Sequence, residues 1–422
     1  MKAILGNAEN AQPGRYRVNT VVAVSAQIAY TCIQWITMMA IARRGGLDLL
    51  GHYSLGVAIA TPVVTFTSFQ IRGLAATDQK GEFSLGEYLS VRAATALAGL
   101  FIVLLFSFLM TNTRSALLIV AGVAFAKTVD SVSEVFYGIW QQTERMFLVA
   151  KSLVLRATLG LLAVFFLAAT DQRTLLGVAL LLASSFVLVA VDLRRAVDEG
   201  RLSLLLLPPN FLMVARRLLA LGAPLSVSLG ALALAANAPR YLVEHTWGAQ
   251  ELGILAGVAY FPAAGSLVVS AMCQPAGPRL AKLYFHGFLS EYRALASRLL
   301  TGAAILGVLS IIVFAAVGNE VLTLMYGETF SGKRPLLMLF SLYSSLSYIA
   351  AVAGVCLTSI RVLHHQVWVA AVALVATTIA SVLLVPDYGA FGAGFALAIG
   401  ALVQSTVYLG ILHRATSNTE AS

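Results

Sequence analysis

Charge is what this sequence lacks. Asp, Glu, Lys and Arg make up 11% of its 422 residues, under half the roughly 25% of an ordinary soluble domain. With 59% hydrophobic residues and a mean hydropathy of +0.86, too little charge remains to cover a water-exposed globular surface of this size. Cysteine is also scarce. Cys32, Cys273 and Cys356 form no CxxC and no Cys–His spacing, which argues against a disulfide framework or a zinc site. There is no acidic metal motif, no catalytic constellation and no phosphate-cradling Gly-rich loop of the kind an ATPase-driven transporter needs. The expectation is therefore no catalytic residue, no metal, no cofactor and no enzyme activity.

What is present is a series of apolar runs of about 20 residues, the length that crosses a bilayer as a helix. About twelve candidate spans are visible, at 18–42, 50–71, 90–111, 115–140, 147–169, 174–193, 218–238, 252–273, 299–318, 336–358, 363–385 and 390–412. The chain reads as an all-α polytopic membrane protein. The first 17 residues are polar, and the apolar run after them is too long for a cleavable signal. The first span is thus expected to insert itself and stay.

Lys and Arg in the connections set the orientation. With both termini in the cytoplasm, Lys2, Arg15, Arg17, Arg72, Lys80, Arg92, Arg145, Lys151, Arg194, Arg195, Arg201, Arg216, Arg217, Arg279, Lys282, Arg293, Arg298, Arg361 and Arg414 fall inside. Only Arg43, Arg44, Arg114, Arg173, Arg240, Lys333 and Arg334 fall outside. The net charge of +9 is accounted for by basic loops meeting anionic lipid, with no nucleic acid required.

Connections are short except near 194–217, where Pro208-Pro209 and the short run Leu204–Leu207 suggest an interfacial link. The expected organisation is a six-helix bundle over 1–195, a cytoplasmic linker over 196–217 and a second six-helix bundle over 218–422. The halves resemble each other. Gly46-Leu-Asp-Leu-Leu-Gly51 matches Gly248-Ala-Gln-Glu-Leu-Gly253, and Gln70, Gly73, Glu87 and Tyr88 match Gln274, Gly277, Glu291 and Tyr292. Six helices per half make this a parallel pseudo-repeat with its axis along the membrane normal, an arrangement that places substrate in a central cavity. Small residues at every fourth position (Gly222, Ser226, Gly230; Gly392, Ala396, Gly400) suit close helix packing.

Some charges fall where the bilayer makes them expensive. Lys127, Asp130 and Glu134 lie inside the fourth span, and at about 100° per residue they share one face of a continuous helix. Each would cost roughly 2.5–3.5 kcal/mol at the bilayer centre, so that face must look into protein or water. Arg156 sits about 14 Å deep in the fifth span at about 1.5 Å per residue, near the level of both acids. Two readings compete: a neutralised network tying two helices together, or the wall of an aqueous cavity with a slight cationic excess. In the second, Asp130 or Glu134 would be the candidates for proton or sodium coupling. Lys151 is nearer the interface, where it can snorkel. Arg72, Arg92, Arg279 and Lys282, with Arg15 and Arg17, form a basic group at the cytoplasmic mouth and supply the donors that hold phosphate. Gln27, Thr31 and Gln34 on the first span, and Asn237 with Arg240 on the seventh, are further polar positions suited to helix–helix hydrogen bonding or a pore wall.

Taken in order, Tyr53-Ser-Leu-Gly56, Phe69-Gln-Ile-Arg-Gly-Leu-Ala-Ala-Thr-Asp78, Gly81-Glu-Phe83, Gly86-Glu-Tyr-Leu-Ser-Val-Arg92, Pro239-Arg-Tyr-Leu-Val-Glu244 and Leu252-Gly-Ile254 resemble bacterial polysaccharide flippases. These belong to the multidrug/oligosaccharidyl-lipid/polysaccharide export superfamily. The resemblance implies two bundles opening alternately to either side of the bacterial inner membrane. It implies a polyprenyl-pyrophosphate-linked oligosaccharide as cargo, and a glycan polymerase and chain-length proteins as further partners. By the same resemblance Lys127, Arg156, Lys151, Arg72, Arg92, Arg279 and Arg240 become candidates to hold substrate. A cation-coupled multidrug exporter of the superfamily is the alternative within transport. A membrane polymerase or ligase of the same glycan pathway would need a sizeable outer loop, and none is visible.

Overall fold

The computed structural model describes residues 13–78, 80–167, 174–198, 210–362 and 364–417. The side chains of 13–21, 23, 24, 167, 174, 175, 262–264, 274, 275, 364 and 417 lie outside the description, as does the 199–209 part of the expected link. Arg15, Arg17 and Arg201 fall in these stretches.

Every element is helical, and no strand occurs among the described residues. The helices are α1 (Pro13–Ala40), α2 (Gly46–Thr67), α3 (Ile71–Thr77), α4 (Leu85–Met110), α5 (Arg114–Asp130), α6 (Ser133–Gln142), α7 (Met146–Leu167), α8 (Thr174–Asp198), α9 (Phe211–Phe285), α10 (Leu289–Tyr326), α11 (Arg334–Ser359) and α12 (His364–Ser417). Among the described residues nine stretches are long and apolar enough to cross a membrane; this is a multi-pass membrane protein. On α4 the large apolar side chains Leu97, Phe101, Phe108 and Leu109 are exposed, as expected where the solvent is lipid rather than water.

Helix length forces breaks. At 1.5 Å per residue the 75 residues of α9 would run to about 110 Å, against a hydrocarbon core of about 30 Å. The chain turns at Gly248 (φ 80°, ψ −178°). Its partner in the repeat, Gly46, separates α1 and α2 with nearly the same backbone, φ 75° and ψ −177°. Only glycine takes such positive φ without strain. Similarity read from the sequence is thus carried into backbone geometry. A third break, at Gly389 in α12, is held from α9. Trp247 Nε1 donates to the Val385 carbonyl at 2.9 Å, and Glu251 Oε1 accepts from the Ala390 N–H at 3.2 Å. The nine apolar stretches include three of 43, 51 and 52 residues that contain these glycines, each long enough for two crossings.

Contacts divide the chain into two compact units. The first comprises Met1–Thr37, Val63–Phe106 and Ala121–Ser226; the second comprises Met38–Pro62, Ser107–Val120 and Val227–Ser422. Neither unit is one continuous half of the sequence. In the first unit, Ile71, Ala75, Tyr88, Phe136, Tyr137, Trp140 and Leu218 form the buried core. Gly138 lets α6 ride on α3, since a Cβ there would fall 2.6 Å from the Arg72 carbonyl oxygen. In the second unit the repeat closes on itself. A Cβ on Gly51 would overlap the Ala249 carbonyl, and one on Gly253 would overlap the Leu47 carbonyl. Gln250 donates to Asp48 at 3.1 Å across the same junction. Leu47 and Ala249, Asp48 and Gln250, and Gly51 and Gly253 are all repeat equivalents, so the contact is reciprocal.

The Thr-Asp78 … Gly-Glu-Phe83 … Glu-Tyr88 motif is a turn, and its chemistry is structural. Asp78 accepts the N–H groups of Glu82 (3.0 Å) and Phe83 (3.1 Å) and the Tyr88 hydroxyl (3.1 Å). Ser84 and Glu87 then cap α4 reciprocally: the Ser84 N–H donates to Glu87 Oε2 and the Glu87 N–H donates to Ser84 Oγ, a capping box. Partial burial pushes the Asp78 carboxyl up, but these donors outweigh it and hold its pKa below the ordinary value. A depressed carboxyl stabilises the fold above the unfolded-state pKa of about 3.9 and loses that contribution as pH falls through the folded value. Asp78→Asn should therefore melt below wild type at pH 7 in detergent, with the gap closing toward pH 3; an unchanged gap would show that Asp78 contributes nothing as an anion.

Candidate functional site

Lys127, Asp130, Glu134 and Arg156 belong to the first unit, and a helix break organises them. The sequence reading takes 115–140 as one helix. The structure ends α5 at Asp130 and restarts at Ser133, although no Gly or Pro marks the spot. The break is held from outside the pair. Arg92, 2% exposed on α4, donates to the Ser131 carbonyl at 3.3 Å, to the Thr67 carbonyl at 2.6 Å and to Ser131 Oγ. Its guanidinium satisfies the carbonyl at the end of α2 and adds a donor to the Ser131 carbonyl, which also accepts the Glu134 N–H at 3.4 Å, so within this arrangement it is a strut rather than a free cation.

Arg156 on α7 meets Asp130, not Glu134. Its Nε donates to Asp130 Oδ2 at 3.0 Å, with side chains 15% and 11% exposed. The pairing expected between antiparallel neighbours is present, and it selects one of the two acids. Arg156 also lies over the Tyr30 ring, 5.7 Å from its centroid, and Gln34 donates to the Tyr30 hydroxyl at 2.8 Å. The polar face of α1 thus joins the group through Gln34, while Thr31 turns back to the Gln27 carbonyl. Lys127 and Glu134 are half-buried. Neither makes a hydrogen bond or ion pair among the described residues, and Glu134 acts electrostatically on both Arg92 and Arg156. Lys127 is consequently a half-buried ammonium one turn from a neutralised pair.

The other candidates divide. Arg72 is exposed, with its guanidinium 5.5 Å from the centroid of the Tyr137 ring. Lys151 is exposed over Phe147 at 4.6 Å. Arg240 and Arg279 belong to the second unit. Arg240 donates to Asn237 at 3.1 Å, and Arg279 and Lys282 are exposed.

One charge escaped the sequence reading. Asp192, at the end of the sixth apolar run beside Arg194 and Arg195, looks like an ordinary loop charge. It is fully buried, accepting from Ser152 at 2.6 Å and from Arg195 at 3.2 Å, and Ser152 in turn pairs with the Tyr137 hydroxyl at 2.8 Å. Because Arg72 stacks on that same Tyr137 ring, the network underpins an exposed cation. Asp192→Ala would leave Ser152 and Arg195 without their acceptor, a cost of about 1–3 kcal/mol. A clearly lowered melting temperature in detergent is expected, and a wild-type value would show the network to be dispensable.

Carboxylates gather elsewhere, in the second unit. A cavity of about 750 Å³ is lined in part by Asp48, His52, Glu244 and His245, and Glu244 Oε2 is buried without a hydrogen-bond partner among the described residues. No group of three or more His, Cys, Asp and Glu there or elsewhere among the described residues is arranged to hold a metal ion.

No protein-family profile matches the chain. A capsular polysaccharide biosynthesis protein of Staphylococcus aureus, CapF, is 24% identical over 389 residues, covering 91% of this chain and 96% of that protein. Among solved structures, an inward-facing multidrug resistance MATE family transporter of the MOP superfamily superposes with a TM-score of 0.75 at 13% identity, covering 96% of this chain and 99% of the other. The lipid II flippase MurJ in an inward closed conformation superposes with a TM-score of 0.71 at 12% identity, covering 93% and 87%. The chain shares its fold with this MATE family transporter and with MurJ.

Proposed function

We propose that this chain is a flippase that moves a polyprenyl-pyrophosphate-linked oligosaccharide across the bacterial cytoplasmic membrane for surface polysaccharide assembly, by alternating access. The observation that carries the reading is the half-buried Lys127, without a hydrogen bond or ion pair among the described residues, beside the Arg156–Asp130 pair in a membrane-spanning fold. A lone intramembrane cation costs free energy unless water or an anion meets it, and a pyrophosphate is such an anion, bound by charge-assisted hydrogen bonds. The polyprenyl tail has no need of protein, because it stays in lipid. CapF, a capsular polysaccharide biosynthesis protein, and MurJ, a lipid II flippase, support the cargo class. In this reading the chain crosses twelve times, as halves 1–195 and 218–422 joined by 196–217, and both termini are cytoplasmic. Arg92 and the Asp192 network hold the cationic surface in shape, Arg72 meets the headgroup, and a glycan polymerase takes over the product outside.

Deletion tests this directly. A strain lacking the gene should accumulate lipid-linked repeat units in the inner leaflet and lose surface glycan. Normal surface glycan in that strain would remove the proposal.

One observation favours a second reading, a cation-coupled multidrug exporter. The cavity bearing Asp48 and Glu244 offers carboxylates of the kind that bind protons or organic cations. Sensitivity of the deletion strain to cationic dyes, with surface glycan intact, would select it.

A further inference from the structure

A second cavity lies within the second unit. It holds about 450 Å³ between one face of α9 and one face of α11, and none of its lining residues is charged. Its polar groups are hydroxyls: Ser266 and Ser270 from α9, and Tyr343, Ser344, Ser347 and Tyr348 from α11. The spacing explains the arrangement. Positions 343, 344, 347 and 348 recur at three and four residues and so share one helical face, as do 266 and 270 across the gap. Small residues complete the walls, with Ala259 and Ala351 among them. Gly265 lets the Tyr348 hydroxyl approach α9, because a Cβ there would overlap that oxygen.

Each serine and tyrosine hydroxyl of the lining can both donate and accept a hydrogen bond. Ser266 and Ser270 are exposed on a membrane-spanning helix, a position that favours a wet surface over hydrocarbon. Hydroxyls, two aromatic side chains and no charge among the described lining residues make a poor site for a pyrophosphate or a metal ion. They suit a neutral polyol, whose hydroxyls bond to serine and tyrosine oxygens while its C–H faces lie on the rings. The volume falls within the range of small-molecule sites and matches a short sugar segment rather than a long chain. A charged neighbour stands close by, since Tyr343 also lies in the electrostatic field of Arg240.

We propose that this hydroxyl-lined cavity between α9 and α11 is the subsite that receives the sugar portion of the cargo. The inference rests on the flippase reading and gives the neutral hydroxyls to the glycan. Selection among lipid-linked oligosaccharides would then come from Ser266, Ser270, Tyr343 and Ser347.

The test uses the full chain in lipid nanodiscs and two probes, a polyprenyl pyrophosphate and the same lipid bearing a neutral disaccharide. Wild type should bind the glycosylated lipid more tightly. Ser270→Val with Ser347→Val should lose about tenfold or more of affinity for it, the loss expected of two neutral hydrogen bonds, while binding of the bare lipid stays unchanged. Ser270→Thr with Ser347→Thr keeps the hydroxyls and should keep the preference, so a mere packing defect is told apart. A valine double variant with undiminished sugar preference would overturn the subsite and leave the flippase reading standing. Wild type binding neither lipid would sink both. Loss of binding of a hydrophobic cation by the valine variant, with glycolipid binding intact, would overturn the sugar assignment.

Discussion

Lys127→Gln is expected to abolish most glycan export without harming the fold. Lys127 makes no hydrogen bond or ion pair among the described residues, so its removal leaves no orphaned partner, and burying one charge fewer is favourable if anything. If it holds a pyrophosphate oxygen, the lost charge-assisted bond is worth about 1.5–3 kcal/mol, roughly ten- to a hundredfold in affinity. Surface glycan should fall accordingly, with the amount of protein in the membrane and its melting temperature at wild-type level. Arg156 needs a more careful comparison, because Arg156→Gln alone strands Asp130 in a nearly dry site. Breaking a buried pair costs about 3–5 kcal/mol, so lost export in that variant does not separate lost structure from lost function. The double variant Asp130→Asn with Arg156→Gln removes both charges together. If the pair is only a brace, the double variant should regain export along with stability; if Arg156 serves the cargo, stability returns and export does not. The second outcome is the expected one.

The next largest effect is expected at the reciprocal glycine contact. Gly51→Ala and Gly253→Ala each place a Cβ into a backbone carbonyl of the repeat-equivalent segment, Ala249 and Leu47 respectively. Neither obstacle is a flexible side chain that can swing away. The two turns must separate, at an overpacking cost of about 1–3 kcal/mol per site, and because the sites share one junction the costs should not add independently. Thermal unfolding in detergent should drop clearly for either variant. Gly73→Ala is the control. A Cβ there meets nothing within 4 Å and removes a flexible helix position, so it should be neutral or slightly stabilising, by up to about 1 kcal/mol. Equal melting temperatures for Gly51→Ala and Gly73→Ala would refute the close contact.

The fold and the site were legible in the sequence to different depths. Apolar runs and their lengths reveal crossing helices because the bilayer leaves backbone groups no other partner. The repeat was visible because both turns need glycine at the same φ, which preserves Gly46 and Gly248 where side chains have drifted. Arg156 and Asp130 announced themselves as charges in apolar runs. Other features left no such mark. The break at Ser131–Val132 contains neither Gly nor Pro, since it is held by Arg92 from another helix, and a long-range hydrogen bond has no local pattern. For the same reason Arg92 looks like any basic residue near a helix end until Thr67 and Ser131 are placed around it. Asp192 is hidden by its neighbours: beside two arginines it resembles a loop charge, and only Ser152, forty positions earlier, shows it to be buried. The hydroxyl cavity is fainter still, because serine and tyrosine at helical spacing are common in spans and acquire meaning only when α9 and α11 face each other.

The central claim is that Lys127 faces water and an anionic headgroup rather than dry protein. It is tested by placing a single thiol there, Lys127→Cys, in a chain whose Cys32, Cys273 and Cys356 are replaced by serine. In native membranes that thiol should react with a small charged, water-borne reagent, and added polyprenyl-pyrophosphate glycolipid should slow the reaction. A thiol that stays unreactive in the folded protein, or one that reacts at the same rate with and without the lipid, would contradict the account.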